Sequence, residues 1–162
     1  MRAGTLGLAL LAGLGLHDAA RAQVWERLAG RWQGTGEVGG MAATPVLAFA
    51  PALGGRAHRL SFDNRMRGAD GRERPFAAEA VYLCEGAACR GHWYDTRGAI
   101  LPLATREEAD ALVVDWGDAG KERGRTTYRL QDDGVLDVTD EVLGQDGRWK
   151  VFGRSRLTRA AD

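Results

Sequence analysis

Turn signals recur so closely along this chain that no helix of ordinary length fits between them. Gly68-Ala69-Asp70-Gly71, Arg97-Gly98, Asp132-Asp133-Gly134 and Gly144-Gln145-Asp146-Gly147 are the residue types that close tight hairpins. Between such breaks lie about ten runs with strand character: 32–38, 46–50, 57–67, 76–84, 89–95, 99–104, 111–116, 124–130, 135–143 and 148–158. Several alternate cleanly. Leu60, Phe62 and Met66 share one face, Arg59, Asp63 and Arg65 the other. Tyr128 and Leu130 oppose Arg125 and Arg129, and Leu136, Val138 and Val142 fall in phase. The 46–50 run follows a loop of small residues, and Pro102 marks a bulge or an edge-like position in 99–104. Parallel pairing needs crossovers of a dozen or more residues, and the spacing leaves none. The reading is an antiparallel meander. An open meander of ten strands exposes two edges to other chains, and closure removes them. The expected fold is all-β, a closed antiparallel up-and-down barrel of about ten strands. Turn rhythm alone also leaves a β-sandwich open.

The first residues stand outside that pattern. Arg2 precedes an uncharged, mostly apolar run over 3–16, and Ala20-Arg21-Ala22 fits small-x-small cleavage. Residues 1–22 are expected to be a cleaved signal peptide, leaving one domain over 23–162. The apolar run is shorter than the ~20 residues that span a bilayer. No Cys lies just after the cleavage point, the first being Cys84, so no lipid anchor is expected. The product is then a soluble, exported protein, periplasmic or extracellular. Residues 24–29 place Val24, Trp25 and Leu28 on one side of a helical turn or two. Such a segment is unstable alone, and its expected place is as a plug in one end of the barrel.

The full chain has a formal net charge of zero, and loss of residues 1–22 removes two arginines and one aspartate, leaving about −1. No basic face for nucleic acid and no polybasic membrane patch exists in the sequence. Two cysteines, Cys84 and Cys89, in an exported chain point to one disulfide. If Glu85 to Ala88 form a four-residue hairpin loop, the two face each other across a strand pair. The spacing does not fit a redox-active Cys-x-x-Cys, and two thiols do not make a metal site.

The run Gly30-x-Trp32-x-Gly34-x-Gly36 at the start of a meander resembles the opening of calycin-type barrels: lipocalins, fatty-acid-binding proteins and the nitrobindin group. The resemblance is nearest to secreted bacterial barrels of that type. It spans most of the chain by architecture and the first strand by motif. It implies that Trp32 is a floor plug packed against an arginine of the final strand, with Arg154 and Arg156 as candidates. Nitrobindin-like barrels hold haem through a histidine near the chain's end. Here the last histidine is His92, so neither haem nor another cofactor is expected.

Among chemistry-bearing residues, His58 and His92 sit on separate strands, expected at the surface or rim, and show no ligand spacing. Ser155 lies in Gly153-Arg154-Ser155-Arg156-Leu157, which lacks the second glycine of a nucleophile elbow. The acid pairs Glu107-Glu108, Asp132-Asp133 and Asp140-Glu141 read as solvated charge, since adjacent strand residues face opposite sides. Neither a catalytic group nor a metal site is expected. The aromatic set is more informative. Phe62, Tyr82, Trp93, Trp116, Tyr128 and Trp149 all fall on apolar strand faces, with Gly34, Ala78, Ala80, Gly91, Gly153 and Ser155 as small inward neighbours. Eight strands are just filled by side chains or hold one small ligand, and ten enclose more. The expected function is binding of a small apolar or amphipathic molecule without catalysis, in a cavity lined by those six rings. The alternatives are an enzyme of isomerase or hydratase type, an envelope interaction module with a filled barrel, and a small outer-membrane barrel.

Overall fold

The computed structural model describes residues 24–161 except 87 and 121. Its strands are β1 (Gly30–Val38), β2 (Met41–Ala52), β3 (Ala57–Arg67), β4 (Glu73–Glu85), β5 (Ala88–Asp95), β6 (Ile100–Glu107), β7 (Ala111–Gly117), β8 (Arg123–Leu130), β9 (Leu136–Leu143) and β10 (Trp149–Arg159). Each pairs antiparallel with its sequence neighbours, and β1 pairs with β10, so the sheet closes into the expected ten-stranded barrel. Helix is confined, among the described residues, to 24–28 and the 3-10 turn Leu53–Gly55. No described helix is long and apolar enough to cross a membrane. The expected signal segment, 1–22, lies outside the described residues.

Pleating sends alternate side chains to the two faces, and the registers fix which. Trp32, Leu47, Phe62 and Ala78 face one another in turn across β1 to β4. Tyr128 lies between Leu112 and Val138 across β7 to β9. Most of these inward positions, with Leu60, Tyr82, Leu136 and Leu157, form one packed cluster, which Val24, Trp25 and Leu28 join and against which Phe62 packs. A fully buried leucine contributes about 1.5–3 kcal/mol, so this half of the barrel carries most of the burial. Trp25 stacks flat on His58, centroids 4.1 Å apart. His58 therefore faces inward rather than lying at the surface, and burial lowers its pKa.

Four local expectations change. The arginine over Trp32 is Arg159, with its guanidinium carbon 4.4 Å from the ring centroid. Register explains it: Arg159 is the direct partner of Trp32, whereas Arg154 and Arg156 oppose Glu37 and Thr35 on the outer face. Arg156 reaches Asp133 at 3.4 Å. The β10 strand carries a bulge between Val151 and Gly153. The extra residue reverses the facing of everything before it, so Trp149 and Val151 point outward while Gly153, Ser155 and Leu157 point inward. The small-residue loop before 46 is strand instead, since β2 starts at Met41. Its ladder to β1 opens between Gln33–Val46 and Gly36–Ala43, beside Pro45, which has no N–H to donate. Finally, Cys84 and Cys89 are paired and disulfide-bonded, but the strands continue to Glu85 and Ala88, so the hairpin loop is two residues rather than four.

Candidate functional site

The two ends of the barrel differ. At the end bearing residues 24–28, Trp32, Leu28, Leu60 and Tyr82 are shut away from solvent. Trp32 Nε1 donates to the Leu28 carbonyl at 2.7 Å. At the other end the inward side chains are only half-buried, among them Phe62, Phe76, Trp93 and Trp116. These line an open mouth.

Two ring groups flank it. On β3 to β5, Phe62, Phe76 and Trp93 form a triangle with centroid separations of 5.9, 5.8 and 6.3 Å. The Arg97 guanidinium lies 5.3 Å from the Phe76 ring. Across the mouth, Trp116 meets Phe152 edge-on at 6.4 Å. Trp116 occupies the space a side chain on Gly124 would need, since a Cβ there would run into the indole. The wall formed by β1, β2 and β10 presents Gly36, Ala43, Gly153 and Ser155.

A polar chain runs into this mouth. Trp116 Nε1 donates to Thr126 Oγ1 at 3.3 Å, and that hydroxyl donates to Asp140 Oδ1 at 2.7 Å. Burial raises the Asp140 pKa above its ordinary value, with the Thr126 hydrogen bond pulling the other way. Asp140 thus lies inside the barrel, not among solvated charges. The phase Leu136, Val138, Asp140, Val142 was the signal for it. On β3, Asn64 is also buried, and its Oδ1 has no hydrogen-bond partner.

The six ring candidates divide three ways. Phe62, Trp93 and Trp116 line the mouth. Tyr82 and Tyr128 belong to the packed core below it, where Tyr82 touches Trp25 and Tyr128 meets Phe49, both at 5.3 Å. Burial raises the pKa of both phenols. Trp149 stands on the outer wall, covered by the Arg125 guanidinium at 4.3 Å. Phe76 and Phe152 complete the mouth. Phe76 was legible as the first inward position of its run, whereas Phe152 enters only through the bulge. Among the described residues no group of His, Cys, Asp and Glu converges to hold a metal ion.

A surface depression of about 720 Å³ lies elsewhere, mostly on the outer wall where the β1–β2 ladder opens. Threonines 35, 44, 96 and 158 line much of it. It offers one ring, Phe76, so the ring-lined mouth is the stronger candidate for an apolar ligand.

No family model matches this chain, and no curated protein matches it. Solved structures do. Rv2717c from M. tuberculosis aligns with a TM-score of 0.62 at 14% identity, over 87% of this chain and 98% of that one. The S-type phycobiliprotein lyase CPES from Guillardia theta aligns at 0.56 and 10%, over 87% and 93%. EF1p2_mFAP2b bound to DFHBI aligns at 0.50 and 15%, over 87% and 98%. At such identities the likeness shows a shared antiparallel barrel fold and nothing finer.

Proposed function

We propose that this protein binds a small apolar or amphipathic molecule at the open mouth of the barrel. The observation that carries this reading is the half-exposed triangle of Phe62, Phe76 and Trp93 facing Trp116 and Phe152. Partly buried aromatic rings on an inward wall are what a flat apolar ligand covers best. The neighbours give modest support, since one is a complex with DFHBI and another is named a phycobiliprotein lyase. Residues 24–28 act in this proposal as a stopper at the opposite end. A disulfide beside a candidate signal segment supports an exported, periplasmic or extracellular location. The test is a panel of lipids, planar pigments and porphyrins read by tryptophan fluorescence and melting temperature. A binder is expected to shift both, Trp93→Ala to weaken it at least about fivefold, and Trp149→Ala to leave it alone. A panel that moves neither readout overturns the proposal.

A second reading, catalysis of isomerase or hydratase type inside the mouth, draws support from Asp140. A carboxyl whose pKa is raised by burial can serve as general acid or base. Mass analysis of bound ligand after incubation tests it: a chemical change lost in Asp140→Asn favours catalysis, and recovery of unaltered ligand favours binding alone.

A further inference from the structure

One carboxylate oxygen at the mouth is left without a partner. Asp140 Oδ1 is held by Thr126, but Oδ2 has no hydrogen-bond or ion-pair partner among the described residues. It lies against Gly153, where an added Cβ would sit 2.9 Å from it. Three basic groups near the rim are each paired with another acid. Arg74 pairs with Asp70 at 2.7 Å, Arg97 with Asp95 at 2.8 Å, and Lys150 leans to Asp146 at 3.5 Å. On the strands flanking Asp140, its direct partners are Thr126 and Gly153, both uncharged. Between Pro45 and Phe76 in register, at the depression on the outer wall, Asn64 Oδ1 is a buried acceptor without a donor.

A carboxylate taken out of water without a counter-charge is costly. No described residue is ion-paired with Asp140, and aromatic rings such as those of the mouth present negative faces that attract cations. We infer that the ligand of this mouth carries a protonated amine on an apolar or aromatic body, with the amine held by Asp140 Oδ2 and its body laid on the rings. This deepens the binding reading above and rests on it. Asp140 would set specificity: a neutral analogue leaves the carboxyl unmatched, and an anionic one is repelled.

The test titrates the full chain calorimetrically with three matched probes: 2-naphthylmethylamine, 2-naphthalenemethanol and 2-naphthoate. The amine is expected to bind about tenfold tighter than the alcohol, a difference of ~1.4 kcal/mol, with the carboxylate weakest. In Asp140→Asn, with its fold checked by circular dichroism, the amine-to-alcohol ratio should fall to about one. Equal affinity of amine and alcohol in the natural chain, a comparison that needs no variant, overturns the inference and leaves the binding reading standing. A preference that survives in Asp140→Asn also overturns it. Failure of all three probes to bind overturns both.

Discussion

Asp140 concentrates the electrostatic conflict of this protein in one side chain. Its folded pKa is raised by burial, so the neutral acid suits the folded state and ionisation opposes folding. The associated stability is present below the unfolded pKa, about 3.9, and is lost as pH rises through the folded value. Asp140→Asn removes that dependence. Urea unfolding of variant and natural chain between about pH 4 and pH 8 should show the variant gaining relative stability as pH rises. The shifts of Asp70, Glu79, Asp95 and Asp110 run the other way, but they are common to both chains and cancel in the difference. Arg159 is the second residue whose place decides much. It lies over Trp32 and also donates to the Ala29 and Arg27 carbonyls, both at 2.6 Å. Arg159→Ala is expected to cost about 1–2 kcal/mol in chemical denaturation, against less than about 0.5 kcal/mol for Arg154→Ala on the outer face.

At the scale of single elements, the β4–β5 hairpin is stapled where it turns. Replacing both Cys84 and Cys89 by Ser should lower stability by about 2 kcal/mol, the chain-entropy value for so short a loop, read as an earlier urea midpoint. Gly124 tests the β7–β8 pair. Gly124→Ala must push the Trp116 indole aside, breaking its bond to Thr126 and changing the tryptophan emission. Much of the strand pattern was legible because pleating imposes a period of two on any half-buried strand. That period identified Phe62, Trp93 and Trp116, and it held in β8 and β9. It failed in β10, where the bulge at Phe152 adds one residue and turns Trp149 away from the lumen. A bulge is a backbone event with no side-chain signature there. The Arg159 clamp was hidden for a related reason: the partner of Trp32 depends on the β1–β10 register, which forms only when the ring closes. The acid of β9 was in phase with its apolar neighbours, and the bias toward solvated carboxylates hid it.

For the molecule as a whole, closure is the condition on which the rest depends. The β1–β10 ladder runs from Trp32–Arg159 to Val38–Gly153 and leaves no strand with a free edge. A chain ending before β10 would expose β1 and β9 as unpaired edges. It is expected to lose its cooperative thermal transition and to elute as aggregate in gel filtration, where the full chain melts in one step. Occupancy should act in the opposite sense. A ligand at one hundred times its Kd adds about 2.7 kcal/mol and raises Tm. The same ladder has a consequence for display. The Ala160 amide bonds the Arg31 carbonyl at 2.9 Å, and Val24 packs in the core with Leu28, so both described ends of the chain lie at the pole away from the aromatic rim. Any tether, tag or fusion partner joined at either place would hang beneath the vessel like a stem beneath a cup. Immobilised by that stem, the protein would face its surroundings lip first.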